Sequence, residues 1–235
     1  MSPKLSKSQI DRLGDRLLRG SDDESDLVLL DQFRESFGEA YETVVRTIRD
    51  QLKLELTGRE LKTTMSIRNK LRREPRIKLS QMQDVAGCRI VVSNVLQQES
   101  VVASLCVLFS DSRIVDRRLK PSHGYRAMHV IPRVSGKKIE IQVRTSLQHR
   151  WALLSEKLSD DVDPNLKYGV GDAELQKYLL EESEASAEIE KREIAIAELM
   201  EKLWQAQQNL EEEKKKFGRR ALLMGVLAKR KESQK

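Results

Sequence analysis

Aromatic residues make up only 4% of this 235-residue chain, and its mean hydropathy is -0.55. No apolar run approaches the ~18 residues a spanning helix needs, which excludes a membrane-spanning helix. Residues 2–19 are amphipathic and charged throughout, unlike a signal peptide. The two cysteines, Cys88 and Cys106, lie inside apolar segments and read as reduced core thiols of a cytoplasmic protein. Glycine and proline are missing from 172–216, so nothing there breaks a helix. What the chain does have is charge. Charged residues are 34% of the whole, with a net charge of +6 and a pI near 9.3. That balance favours anionic ligands such as nucleotides or nucleic acid without choosing between them. The length suits one good core plus an appendage.

The most informative stretch is 120–145. Its end reads Lys137-Lys-Ile-Glu-Ile-Gln-Val-Arg-Thr145. Strand side chains alternate between faces, so Ile139, Ile141 and Val143 point into a core. Glu140, Gln142 and Arg144 line up on the other face. Such a row is most simply solvent-facing polarity. The loop before it, Lys120-Pro-Ser-His-Gly-Tyr-Arg-Ala-Met-His129, adds bases, a glycine and a surface aromatic, ahead of a hairpin turning at Ser135-Gly136.

Elsewhere, periodicity predicts a short helix over 5–19. A strong helix is predicted over 30–52, with Leu30, Phe33, Phe37, Tyr41, Val44, Ile48 and Leu52 in one stripe. A third follows at 63–74, where Lys62, Ser66 and Lys70 step by four and share a face. A run of bases is usually a solvated surface. A hydroxyl among them near a helix N-terminus also suits a polyphosphate. Residues 90–92 read as a buried strand with Asp84 at its mouth, either a turn aspartate or a Mg²⁺ ligand. A helix over 98–109, a strand over 112–118 and a helix over 145–158 follow. In the last of these, Leu147, Trp151, Leu154 and Leu158 face the core, and His149 packs. Residues 160–171 form a linker. Beyond it a long helix with a/d spacing over about three heptads ends in a basic stretch, 214–235.

Four groups occur in order: Lys62-x-x-x-Ser66-x-x-x-Lys70-x-Arg72, Asp84-x-x-Gly87-x-Arg89, Gly124-Tyr125-Arg126-x-x-His129 and Glu140-x-Gln142-x-Arg144-Thr145. Together they resemble the synthetase motifs of the RelA/SpoT-type alarmone synthetases, over roughly 30–158. The chain shows no His-Asp hydrolase motif and no ribosome-binding regulatory region, so it resembles the small, single-domain members. The resemblance implies an α/β (α+β) fold. Its parts are a mixed sheet of four to five strands flanked by helices, a nucleotidyltransferase-like synthetase domain, and a long helical C-terminal extension. The expected division is 1–23, 24–160 and 172–235.

The implied reaction moves the β,γ-pyrophosphate of ATP to the ribose 3′-hydroxyl of GDP or GTP, making (p)ppGpp. By the same resemblance Asp84 and Glu140 hold Mg²⁺, and Glu140 polarises or deprotonates the attacking hydroxyl. Lys62, Ser66, Lys70 and Arg72 grip the ATP phosphates, and Arg89 stacks on adenine. Tyr125 stacks on the acceptor base, with Lys120, Arg126, His129, Gln142 and Arg144 on the acceptor side. One position departs from the family. Glu60 stands where a second adenine-stacking Arg is usual, and Arg59 is the nearest replacement. Two further readings stand beside this one: pyrophosphorylation of the 3′ end of tRNA, favoured by the basic tail, and a silent site on a scaffold. A homo-oligomer through the C-terminal helices is expected.

Overall fold

A computed structural model describes residues 5–57 and 61–232. The chain divides into two compact units, 1–187 and 188–235. In order, the first unit contains α1 (Lys7–Arg19), α2 (Glu24–Glu35), α3 (Gly38–Leu52), α4 (Thr64–Arg73), β1 (Gly87–Val92), α5 (Val95–Leu108), β2 (Ser112–Asp116), β3 (Met128–Val134), β4 (Lys137–Lys138), β5 (Glu140–Thr145) and α6 (Ser146–Asp161). Short 3₁₀ turns lie at Leu79–Gln81 and Leu166–Tyr168. The last helix, α7 (Ala173–Glu232), contributes to both units.

The five strands form one mixed sheet in the order β1-β5-β3-β2, with β4 paired to β3 off that path. β1 and β5 are parallel, while β5–β3 and β3–β2 are antiparallel. This agrees with the expected α/β class. The hairpin turn falls at Ser135-Gly136, where φ is 48° and 76°. Two successive positive φ values match the right-handed twist of the flanking strands.

The core lies on the face of Ile139, Ile141 and Val143, all fully buried. Helices α1 to α5 close over it with Leu13, Leu30, Val44, Ile67 and Leu105 among others. Two expectations change here. The 30–52 stripe is carried by two helices, broken at Ser36-Phe37. The Ser36 hydroxyl donates to the Phe33 carbonyl at 2.5 Å, and Gly38 opens the next helix. The break keeps both phenyl rings buried and edge-to-face at 5.3 Å, so the apolar phase continues although the helix does not. Helix α6 also departs from its reading. Trp151, Ala152 and Leu179 form a separate small cluster, with Tyr125, Leu154 and Leu158 packed on it. Gln148, Ser155 and Ser159 fill the rest of its buried face. Gln148 is held by Gln98 Nε2 at 2.8 Å and through a capping box with Thr145.

In the second unit, Ile196, Leu199, Leu203, Leu210 and Phe217 of α7 are exposed along the helix. Their spacing is the a/d pattern of the sequence. Side chains beyond Met224 lie outside the described residues, as does the Arg59–Glu60 departure. Among the described residues no helix is long and apolar enough to cross a membrane.

Candidate active site

One cavity of about 510 Å³ lies on the polar face of the sheet, where β5 is flanked by β1 and met by α4 and α6. Its lining includes Lys62, Ser66, Asp84, Arg89, Glu140, Gln142 and Arg144, seven residues singled out from sequence. Their convergence follows from register. Gly87 pairs with Glu140, and Arg89 with Gln142, across parallel β1 and β5. A Cβ on Gly87 would lie 2.6 Å from the Glu140 carbonyl oxygen, so glycine is what lets the two strands meet here.

Asp84 is the first charged centre. Lys62 Nζ donates to Oδ2 at 2.7 Å and Lys70 Nζ to Oδ1 at 2.8 Å. Lys62 is placed by its backbone N–H, which donates to the Val85 carbonyl at 2.7 Å; Lys70 comes from the last turn of α4. Burial pushes the Asp84 carboxyl up, but the two ammonium groups outweigh it and hold it at about 2. Asp84 is therefore ionised at any physiological pH.

Glu140 is the second. Its Oε1 pairs with His129 Nδ1 at 3.1 Å, and its Oε2 accepts from Gln142 Nε2 at 2.8 Å. Burial pushes its carboxyl up, the His129 contact overrides this, and the net direction is down. A closed ring of contacts continues from there. His129 Nε2 meets the Tyr125 hydroxyl at 2.9 Å, Arg144 Nη2 donates to that hydroxyl at 3.2 Å, and the same Nη2 donates to Gln142 Oε1 at 2.8 Å. Glu140 is thus held from both oxygens by a five-residue circuit. Arg144 itself is buried, and its Nε and Nη1 have no hydrogen-bond partner. Buried guanidinium donors left open in this way suit an incoming anion.

Tyr125 differs from its sequence reading. It is half-buried, with Arg144 over its ring at 5.0 Å from the centroid and Trp151 at 6.5 Å. Gly124 is there for close packing: a Cβ would lie 2.6 Å from Trp151 Cζ2, and Ser183 Oγ holds the Gly124 carbonyl at 2.6 Å. The loop is clamped against α6 and the start of α7 and does not present a free aromatic. Five other expected residues do not line the cavity. Lys70 and His129 reach it through the Asp84 and Glu140 carboxylates. Lys120 is exposed, Arg126 donates to the Arg118 carbonyl at 3.2 Å, and Arg72 lines a neighbouring cavity of about 290 Å³.

Several cavity residues escaped the sequence reading: Arg73, Glu156, Asp160, Lys167 and Tyr168. Their signal was weak, an aromatic and a base in the glycine-bearing linker. Cys88 also lines the cavity, but burial, aided by Glu140, pushes its thiol up to about 12. It is not a nucleophile at neutral pH.

Residues 58–159 match the family described as the region found in RelA / SpoT proteins. The match covers under half of the chain and is a likeness of that region. Uncharacterized proteins of Mycobacterium tuberculosis and Mycobacterium bovis are 36% identical over 132 residues, which is 51% of this chain and 48% of theirs. The chain spans about half the length of the curated relatives it matches. Among solved structures, small alarmone synthetase 1 of Bacillus subtilis is 25% identical with a TM-score of 0.53, over 73% of this chain and 99% of that one. The same synthetase bound to its product pppGpp aligns at 23% identity and a TM-score of 0.54, over 74% and 97%. The smu.1046c protein of Streptococcus mutans aligns at 26% and 0.51, over 73% and 95%. The matched stretch, 58–159, holds Lys62, Ser66, Asp84, Arg89, Tyr125, His129, Glu140, Gln142 and Arg144, and the fold is that of the small alarmone synthetases.

Proposed function

We propose that the chain transfers the β,γ-pyrophosphate of ATP to the ribose 3′-hydroxyl of GDP or GTP, yielding (p)ppGpp. The observation that carries this is the pairing, in one cavity, of an ionised Asp84 bridged by two lysines with a Glu140 oriented from both oxygens. The RelA/SpoT match and the alarmone synthetase fold support it. Phosphoryl-type transfer asks a protein for positioning and charge neutralisation more than covalent help.

Each group has a task in that reading. Lys62 and Lys70 exchange Asp84 for the ATP phosphates as these enter, with Ser66 beside them on the first turn of α4. Arg144 offers its unpartnered N–H groups to the acceptor, and Arg89 presents a guanidinium plane to the base of ATP. Glu140 accepts the 3′-hydroxyl as a hydrogen-bond donor. Its carboxyl is held below the usual range, so it orients and polarises this hydroxyl more than it removes the proton early.

Mg²⁺ fits this site. Asp84 and Glu140 are hard, ionised oxygen donors lining one cavity, and no group of three or more metal-binding side chains occurs among the described residues. Two protein carboxylates with phosphate oxygens and water are what Mg²⁺ takes at a nucleotide. When bound it would neutralise charge developing on the transferred group.

The test offers purified protein, Mg²⁺ and γ-labelled ATP to GDP, GTP and bulk tRNA in parallel. Label in a guanosine product and none in tRNA is the expected result. Label in tRNA alone would replace the acceptor, and label in neither would overturn the reading.

A further inference from the structure

The second unit, 188–235, lies beyond the matched stretch, 58–159. On its part of α7, Ile189, Ile196, Leu203, Leu210 and Phe217 recur every seven residues, and Leu199 and Ala206 follow Ile196 and Leu203 by three. The five, with Leu199, are 45–75% exposed. Single surface leucines are ordinary, but a stripe kept in phase over four heptads asks for a partner. We propose that this stripe closes on the same stripe of a second copy of the chain, as an antiparallel coiled coil centred near Leu203. The homo-oligomer expected from sequence thereby gains an orientation and a register.

The two charged interruptions of the seam give the direction. Arg192 stands three residues after Ile189, and Glu213 three after Leu210. They are 21 residues apart, three whole heptads, and the point midway between them falls at Leu203. Two parallel copies would set Arg192 against Arg192 and Glu213 against Glu213, and like charges closed into a seam are costly. Two antiparallel copies crossing at Leu203 set each Arg192 beside Glu213 of the other copy, twice over by the two-fold symmetry. Charges placed within a seam are how coiled coils choose register and orientation.

The ends of the stripe agree with this crossing. Glu188, Glu190 and Glu193 surround its first residue, and Lys214, Lys215 and Lys216 precede its last. Antiparallel pairing about Leu203 lays the glutamates of one copy along the lysines of the other. Within one chain these groups make local pairs. Arg192 Nε lies 3.5 Å from Glu188 Oε1, Lys214 Nζ 2.9 Å from Glu211 Oε1 and Lys216 Nζ 3.0 Å from Glu213 Oε1. Every side chain in these pairs is more than half exposed. Surface pairs of this kind add little stability, so they exchange for partners across a seam at small cost. The three glutamates also disfavour an RNA or an anionic membrane along the whole face, since both carry negative charge.

The test is sedimentation velocity on the full chain and its variants at matched concentration, with circular dichroism as the folding control. Leu203→Glu should halve the sedimenting mass. Gln208→Glu, the same charge on the outer side of the helix, should leave it unchanged. Arg192→Glu and Glu213→Arg should each weaken association about 10-fold or more, and the double variant should restore it, because only antiparallel copies bring the two positions together. A wild-type chain that sediments as a monomer would overturn the proposal, as would a mass unmoved by Leu203→Glu. Single charge reversals without effect would mean parallel copies and would overturn it too. A monomeric chain that binds bulk tRNA or phosphatidylserine vesicles, and loses them with Leu203→Glu, would give the stripe to RNA or lipid and overturn it as well.

Discussion

The two faces of β5 obey different rules. On one, Ile139, Ile141 and Val143 are fully buried among helices, and their contribution is removal of apolar surface from water. On the other, Glu140, Gln142 and Arg144 are also largely buried, yet they face ions and a cavity. The first face lowers the free energy of the fold. The second burdens it, because buried charge is costly unless every partner is in place. The five-residue circuit through His129 and Tyr125 and the two lysines on Asp84 are those partners. The polar face is therefore held in a defined geometry by interactions that add little net stability, which is what a preorganised site requires.

The largest effect should come from Asp84→Asn. It removes a preorganised charge, so transfer should fall at least 10²-fold. It also leaves Lys62 and Lys70 side by side without their carboxylate, so stability should drop by about 3–5 kcal/mol in chemical denaturation. Unchanged stability would mean that the lysines find other partners. Ile141→Ala comes next. Its expected cost is about 2–5 kcal/mol of stability from a fully buried site, with kcat near wild type in the folded fraction. A specific loss of kcat at unchanged stability would erase the distinction between the faces.

Acid sensitivity should be smaller. The Asp84 carboxyl is lower in the folded chain, about 2, than its ordinary 3.8. Its contribution is therefore fully present above pH ~4 and lost as pH falls towards 2. The amount is about 2 kcal/mol, and Asp84→Asn should flatten that part of the stability–pH curve. Tyr125→Phe should show the smallest effect. It opens the circuit at one hydroxyl, which contacts His129 and Arg144. At about 1 kcal/mol per lost hydrogen bond, kcat/KM should fall roughly 5- to 30-fold. A ring used only for stacking would leave the Phe variant at wild-type activity.

Alternation made β5 legible in the sequence, since a period of two needs no partner to be seen. The step of four through Lys62, Ser66 and Lys70 was visible as well, although α4 starts at Thr64 and carries only Ser66 and Lys70. Asp84 was named too, but its pairing with those lysines was not legible, because it is 14 residues past Lys70 and only the fold brings them together. The break between α2 and α3 was hidden because Phe33 and Phe37 keep helical phase across it. Tyr125 read as a surface aromatic because Gly124 signals a flexible loop. That glycine in fact answers to the indole of Trp151. Tyr168 went unremarked because nothing local marks a ring whose contact is with Arg73, 95 residues earlier in the chain.

The central claim is that Glu140 belongs to the chemistry and not to the fold. Glu140→Gln keeps the size of the side chain and its hydrogen bond with Gln142 while removing the charge. Labelled-ATP transfer to GDP and the melting temperature should be measured on the same preparation. The account predicts a loss of transfer of about 10²- to 10⁴-fold with Tm within about 4 °C of wild type. Near-normal transfer, or unfolding in place of inactivation, would contradict it.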